Sequence, residues 1–323
     1  MEQGIVETKY FTLRTLCDGV FAAIAKPGQG AWSNAGIIDL GDELLIFDSL
    51  STPSAGDELR RQAESLTGKK VKYLINSHYH GDHVFGNQVF SDTTIVSTYV
   101  TEKLCKEKNK IEDYEKEKLD MNHYLFQLKN QIDSTEDNII KASLINQYQE
   151  MSKVLNDLSQ LQIVLPSLLF KEKLTITGSD RTVELYCLGG GHSPSDTFMY
   201  LPKEKIAFMG DLATENLHVP IYNPEEFLTI LKRVKQIDIN ILVPGHGNIA
   251  DLTLCDTLIE YLSFMTQRAK AAHQRKLSRE DFIAEFDLPK EYKEYKEYKE
   301  WKGVNSIKAN LTTIYTYLLK NPL

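Results

Sequence analysis

Short apolar runs separated by turn residues dominate the first hundred positions of the chain. The runs at 20–25, 35–40 and 43–48 are typical of strands, and Gly41-Asp42 suits a hairpin between the last two. Polar and apolar residues alternate over residues 1–16, as they do in an edge strand. This part of the chain is therefore predicted to form a β-sheet.

The strand pattern continues beyond one intervening helix. The helix is predicted from about Ala55 to Leu66, and the apolar run Val71–Ile75 follows as a strand buried on both faces. Past Pro166 the pattern returns, with apolar runs at 183–188, 197–201, 205–209 and 239–243. Two strand-rich regions are thus expected in one chain.

Residues 100–165 interrupt these strands with a different composition. The segment contains neither Gly nor Pro, and its apolar residues recur at helical spacing from Leu119 to Ile132 and from Ile140 to Leu161. We interpret the segment as two long inserted helices. Periodicity does not decide whether they form a lid over a site or an arm for homo-oligomerisation.

The chain again has a helical pattern from Asp251 onward. Residues 291–301 read EYKEYKEYKEW, which places Tyr292, Tyr295, Tyr298 and Trp301 three residues apart. We interpret this repeat as a charged surface helix that packs a few aromatic side chains onto the domain. The predicted organisation is one domain over 1–255 that carries the insertion 100–165, followed by a helical extension over 256–323.

Composition narrows the classes of partner. Of 323 residues, 42% are hydrophobic and 25% charged, as in a globular protein, and the formal net charge is −8. This charge offers no attraction to nucleic acid or anionic lipid, so neither partner is expected. Without an export signal or a long apolar span, a cytoplasmic protein is expected. Reduced thiols are expected for the four scattered cysteines, Cys17, Cys105, Cys187 and Cys255.

Three of the eight histidines lie within six residues, in the segment HYHGDH directly after the predicted strand 71–75. Residues two apart in an extended segment can project to one side, so His78 and His80 can bind one ion. A turn at Gly81 can bring Asp82 and His83 around to a second. Zinc accepts these ligands, as do iron and manganese.

The HxHxDH pattern resembles the first metal motif of the metallo-β-lactamase superfamily. The other metal positions follow in family order: His192 in GGGHSPSD, Asp211 in FMGD and His246 in VPGHG. The resemblance covers about residues 14–255, apart from the insertion. It implies an α/β (α+β) fold, a four-layer αββα sandwich with the site at one edge of its two sheets.

The same resemblance implies two divalent metal ions, with zinc expected first. One ion would be held by His78, His80 and His192, the other by Asp82, His83 and His246, and Asp211 would bridge both. Asp48 matches a supporting position and is expected to hydrogen-bond a ligand, although capping of a turn is an equal alternative. His218 and Tyr222 follow Asp211 and could reach a substrate, but packing within their loop is favoured.

The implied reaction is hydrolysis of a small molecule. Two ions sharing a water would make hydroxide available, and Asp82 would orient this nucleophile as the catalytic residue. An aspartate at position 211 favours the glyoxalase II and lactonase branches. The expected substrate is an ester, thioester, lactone or lactam, held against apolar faces of the insertion that include Met121, Tyr124, Phe126 and Met151.

Three alternatives remain at this point. A phosphodiesterase or nuclease of the same superfamily is disfavoured by the net charge and by the absence of a basic stretch with interleaved aromatics. A mono-iron sulfur oxygenase is disfavoured by the complete second set of ligands. A non-enzymatic protein that binds a partner through the insertion and the EYK repeat is the third.

Overall fold

Two β-sheets form the centre of the fold in the computed structural model, which describes residues 4–285, 301–303 and 305–320. The larger sheet follows chain order. Its strands are β1 (Ile5–Glu7), β2 (Phe11–Cys17), β3 (Val20–Ala25), β4 (Ala35–Asp39), β5 (Leu44–Phe47), β6 (Val71–Ile75), β7 (Thr94–Thr98) and β8 (Leu168–Phe170). The smaller sheet has the order β13-β12-β11-β10-β9. Its strands are β9 (Lys173–Thr177), β10 (Thr182–Cys187), β11 (Thr197–Leu201), β12 (Ile206–Phe208) and β13 (Ile241–Val243).

Parallel pairing brings strand ends together at one edge of each sheet. In the larger sheet β5, β6, β7 and β8 run parallel, and in the smaller sheet β12 and β13 do. Loops that leave the carboxyl ends of these strands therefore meet at the same edge. A backbone hydrogen bond from Thr197 N to Ser77 O (2.8 Å) links the two sheets there.

The described helices cover the outer faces of the two sheets or belong to the insertion and the HYHGDH segment. They are α1 (Pro53–Thr67), α2 (Gly81–Val84), α3 (Tyr99–Lys108), α4 (Tyr114–Ser134), α5 (Asn138–Asp157), α6 (Pro224–Val234), α7 (Thr253–Gln274), α8 (Arg279–Glu285) and α9 (Asn305–Lys320). Helix α1 begins where Thr52 caps Ala55 N and Pro53 opens the first turn. Its buried Leu59 packs against the larger sheet, while α6, α7 and α9 pack against the smaller one.

One apolar cluster lies under the helices of each sheet, and another lies between the two sheets. It joins Ile38 and Phe47 of the larger sheet to Met199, Leu201 and Phe208 of the smaller one. Because each sheet alternates its side chains, one face of each fills this central layer and the other meets the helices. The layers are helix, sheet, sheet and helix, which confirms the predicted αββα sandwich.

The insertion contains three helices, one more than its periodicity predicted. Helix α3 follows β7 directly, capped by Thr98, and buries only Thr101 and Cys105. A ten-residue helix with so small a buried face leaves a weak periodic signal. Helices α4 and α5 pack on each other through a core of their own, formed by Leu125, Leu128 and Leu144.

Most of the EYK repeat lies outside the described residues, including Tyr292, Tyr295 and Tyr298. Trp301, at its end, is buried with 2% of its surface exposed and contacts the rings of His218 and Tyr261. In the described part of the chain, no helix has the length and apolar character needed to cross a membrane.

Candidate metal centre

Loops from both sheets deliver histidine and aspartate side chains to the shared edge. The HYHGDH segment follows β6, His192 lies between β10 and β11, Asp211 follows β12 and His246 follows β13. These side chains form two clusters within the described residues. The first cluster is His78, His80, His192 and Asp211, and the second is Asp82, His83 and His246.

Ring nitrogens converge in the first cluster. His80 Nδ1 lies 3.0 Å from His78 Nε2 and 2.9 Å from His192 Nε2, and His192 Nε2 lies 3.4 Å from Asp211 Oδ2. Ligands of a tetrahedral zinc ion, each at about 2.0–2.1 Å, stand roughly 3.3 Å from one another. The donor set and its spacing therefore fit one divalent cation.

Carboxylates and imidazoles alternate in the second cluster. His246 Nε2 lies 3.2 Å from Asp82 Oδ2 and 3.3 Å from Asp211 Oδ1. His83 Nε2 lies 3.5 Å from Asp82 Oδ2 and 3.2 Å from Asp211 Oδ1. Asp211 thus turns one oxygen towards each cluster, as a carboxylate bridging two ions would.

Unpartnered buried atoms provide a second test of the fit. His83 Nε2 and Asp211 Oδ1 are both buried, and neither makes a hydrogen bond to any atom of the described chain. Buried polar atoms almost always find a partner, so a facing pair without one indicates a site for a ligand. A cation would satisfy both atoms.

The pKa values of the histidines differ between the two clusters. Burial lowers the pKa of His192 to about 3, and burial together with neighbouring histidines lowers that of His78 well below its usual value. Burial alone would also lower the pKa of His246, but Asp211 and Asp82 outweigh it and raise that pKa to about 10. Burial opposes ionisation of Asp82, yet His83 and His246 hold its pKa at about 2.

Asp48 supports the HYHGDH segment from the end of β5. Its Oδ1 accepts from Ser77 N (2.7 Å), and its Oδ2 accepts from Ser77 Oγ (2.8 Å) and lies 2.8 Å from His83 Nδ1. Asp48 has a φ of 60°, which Asp tolerates better than most residues. The fully buried carboxylate therefore fixes the His83 ring with Nε2 facing the cluster.

Backbone carbonyls orient two further imidazoles. His192 Nδ1 donates to Pro220 O (2.9 Å), and His246 Nδ1 donates to Trp32 O (3.0 Å). Since a carbonyl only accepts, each Nδ1 carries the proton and each Nε2 faces the site. Gly245 leaves the space that the Asp211 carboxylate occupies, because a Cβ at this position would lie 2.1 Å from Asp211 Oδ1.

Asp196 was missed in the sequence although it stands four residues after His192. Its carboxylate accepts from the backbone N–H groups of Gly191, His192 and Ser193 and from Ser193 Oγ. Burial raises the pKa of Asp196 to about 6 in spite of these bonds. The motif GGGHSPSD contained the signal, since a nearby aspartate commonly satisfies N–H groups in a tight turn.

Glu150, on α5 of the insertion, carried no local signal. It is 1% exposed, and its two oxygens accept from Gly28 N (2.7 Å) and Gly30 N (2.8 Å). Both glycines have positive φ, so the turn depends on them. The turn leads to Trp32, whose carbonyl orients His246. The insertion thereby supports the second cluster through a turn that lies more than a hundred residues earlier in the chain.

A cavity of about 540 Å³ opens over both clusters. The insertion forms part of its wall through α5, with Ile140, Ser143, Leu144, Asn146, Gln147 and Glu150. Met121, Tyr124, Phe126 and Met151, which were expected there, do not line it. Tyr124 and Met151 pack within the core between α4 and α5, and Phe126 is 61% exposed. The helical spacing in the sequence identified the apolar faces of the insertion, but not the surface against which each face packs.

His218 and Tyr222 take different places. His218 lines the cavity, but it is buried and its Nδ1 lies 3.0 Å from the hydroxyl of Tyr261. Tyr222 is 54% exposed and is not part of the cavity lining, and its backbone N–H donates to Gly191 O. The four cysteines are free thiols.

Comparison with known proteins identifies the family of the chain. A family model described as the metallo-beta-lactamase superfamily matches residues 32–246, and the chain belongs to that superfamily. A solved structure of a metallo-beta-lactamase from Pontibacter korlensis is similar in fold, with a TM-score of 0.53 and 16% sequence identity. The alignment covers 81% of this chain and 99% of that one. No curated protein matches the chain.

Proposed function

We propose that the protein is a metal-dependent hydrolase with two divalent ions at the seven clustered ligands. One observation carries the proposal: Asp211 turns its two oxygens towards the two clusters at the base of a cavity. Zinc is the preferred ion because of the imidazole and carboxylate ligands, which also accept manganese or iron. The substrate is a small molecule with an ester, thioester, lactone or lactam bond.

Such ions, when bound, lower the pKa of water and polarise a substrate oxygen. The chain itself contributes orientation and charge. Asp82, with a pKa of about 2, stays anionic at neutral pH, so its carboxylate orients an attacking water by accepting a hydrogen bond. Apolar residues of the wall, among them Ile140, Leu144 and Val219, exclude water around a partly hydrophobic acyl group.

The test is metal content together with hydrolysis. We expect about two ions per chain by elemental analysis of protein purified without added metal, as in other two-metal sites. We also expect turnover of one class in a panel of lactam, lactone, thioester and phosphodiester substrates. His80→Ala should abolish that turnover, whereas the control His123→Ala, an exposed histidine on α4, should keep it.

Three outcomes would contradict the proposal. A single tightly held iron with no hydrolysis would indicate the sulfur-oxygenase branch. Turnover of phosphodiesters alone would indicate a phosphodiesterase. Partner binding retained by metal-free protein, with no turnover of any substrate, would favour a non-enzymatic role for the insertion.

A further inference from the structure

Helix α3, the first helix of the insertion, has a contact at each end with a segment that carries ligands of the first cluster. It comprises ten residues, Tyr99–Lys108, and is therefore about 15 Å long. One segment is HYHGDH, which contains His78 and His80, and the other is the turn that contains His192. The helix thus joins two parts of the chain whose side chains converge on one candidate metal site.

The amino-terminal end of α3 is fixed to the turn of His192. Thr98, the N-cap residue of the helix, has its Oγ1 2.6 Å from Ser195 Oγ, and Thr101 Oγ1 donates to Ser195 O (3.4 Å). The three side chains are buried, so water does not compete for these hydrogen bonds. A shift of this end of the helix would therefore break buried hydrogen bonds to the turn.

The carboxyl-terminal end of α3 reaches the HYHGDH segment through Asn109. Its Nδ2 donates to Tyr79 O (2.7 Å), which accepts no other hydrogen bond from the described residues. Tyr79 stands between two candidate ligands, and its ring lies edge-on to the His80 ring with the centroids 4.5 Å apart. Because the peptide unit is planar, a bond that fixes the Tyr79 oxygen also fixes the backbone nitrogen of His80. Asn109 therefore restrains the orientation of His80.

We infer that Asn109 is a positioning residue for the first ligand cluster, through which α3 holds the HYHGDH segment and the His192 turn at a fixed separation. The rings that meet between these segments are His80 and His192, with Nδ1 and Nε2 2.9 Å apart. Ligands of one ion must be held to within roughly 0.5 Å, and a rigid helix attached at both ends supplies that restraint. The inference rests on the proposed metal site. Together with Glu150 on α5, it makes the insertion a support for both clusters, each through a different residue.

The test is a calorimetric titration of the full chain with zinc, which measures the two binding steps separately. Asn109→Ala removes the donor to Tyr79 O, so we expect zinc to bind about tenfold more weakly at the first cluster, the scale for residues that orient a ligand. Binding at the second cluster should be unchanged. The step that remains in His246→Ala identifies the first cluster, because that variant keeps all four of its ligands.

Matched variants separate the hydrogen bond from other effects. Asn109→Asp keeps the shape of the side chain without an amide donor and should weaken the first step as Asn109→Ala does. Asn109→Gln keeps an amide donor and should recover most of the affinity. Asn122→Asp is the control with the same change of charge, because Asn122 Nδ2 donates to Lys118 O (2.7 Å) within α4, and both steps should be unchanged. Equal weakening of both steps in Asn109→Ala would overturn the inference, because a general loss of stability acts on both clusters.

A measurement without metal keeps this test independent of the hydrolase proposal. In nuclear magnetic resonance spectra of the metal-free chain, Asn109→Ala should shift the imidazole resonances of His80 and leave those of His246 unchanged. If the wild type binds no zinc but the His80 resonances shift in the variant, the proposed metal site fails and the positioning of His80 by Asn109 stands. If zinc binds in two steps and Asn109→Ala alters neither the first step nor the His80 resonances, the inference fails alone.

Discussion

The two ligand clusters lie side by side but have opposite electrostatic character. In the first, burial lowers the pKa of His78, His80 and His192, so these imidazoles are neutral at pH 7 with lone pairs available. In the second, burial lowers the pKa of His83 and His246, but the neighbouring carboxylates outweigh it and raise both values. Both side chains are therefore imidazolium cations when no metal ion is present. A cation enters the first cluster without competition but must displace protons from the second.

In the proposed two-metal site, this difference would make the two ions bind in sequence. A neutral, close-set group of nitrogens is organised for metal before metal arrives. The second cluster instead stabilises its two carboxylates with imidazolium groups, and these become ligands only after losing protons. Asp211 belongs to both, so the first ion should also influence the second.

The largest expected effect comes from removing the shared ligand. Asp211→Ala deletes the oxygens that face both clusters, so we expect metal affinity to fall by more than about a hundredfold at each, beyond what loss of a supporting residue costs. Elemental analysis after dialysis should find less than one ion per chain. Asp133→Ala, an exposed carboxylate on α4, is the control. Two retained ions in Asp211→Ala would show that this residue bridges nothing.

A ligand that belongs to one cluster should separate the two. His246→Ala leaves all four ligands of the first cluster in place, so we expect one ion to remain and the second to be lost. The reciprocal variant, His78→Ala, damages the first cluster and leaves the second set of ligands. Metal titration monitored by calorimetry would resolve the two steps. Loss of both ions in His246→Ala would mean that the clusters do not bind independently.

The comparison also predicts a dependence on pH. His246 binds metal only when Nε2 is deprotonated, and its pKa of about 10 lies above neutrality. Each unit of pH below that value should therefore weaken the second ion about tenfold per displaced proton. The first ion should vary less, because the pKa of His192 is about 3. Calorimetry in buffers of different ionisation enthalpy would count the released protons, and equal release in both steps would contradict the comparison.

The smallest expected effect lies outside the ligands. In Glu150→Gln one acceptor oxygen becomes an amide that faces a backbone N–H of the Gly28–Gly30 turn, which leads to Trp32 and His246. We expect the second ion to bind about tenfold more weakly and the first to be unchanged, as for other residues that orient a ligand. Glu136→Gln, an exposed residue outside the cavity lining, serves as the control. Equal weakening of both ions would indicate general loosening of the fold.

Strand positions and the candidate metal ligands could be read from local patterns. The strand Val71–Ile75 and the strand Thr197–Leu201 have the predicted bounds, because apolar runs between turn residues are short-range features. The six residues of the HYHGDH segment were sufficient to indicate a metal site. Helix α3 was not predicted because its buried face is small.

The supporting residues could not be found in this way. Glu150 contacts Gly28 across 122 positions, and nothing in the segment around Glu150 distinguishes it from other surface glutamates of the insertion. Asn109 likewise resembles the other asparagines of the insertion until α3 places its amide against the carbonyl of Tyr79. Such contacts arise from packing between segments that are remote in the chain.

The order of residues alone therefore specifies the strand pattern, the helical insertion and the histidine and aspartate side chains available to metal, since periodicity and motifs are local. Tertiary packing decides which of those histidines is neutral, which nitrogen faces the site and which helix face borders the cavity. The physical reason is that burial, the distance between charges and the direction of a hydrogen bond depend on neighbours from distant parts of the chain. These quantities are defined only in the folded protein, where the two sheets pack together.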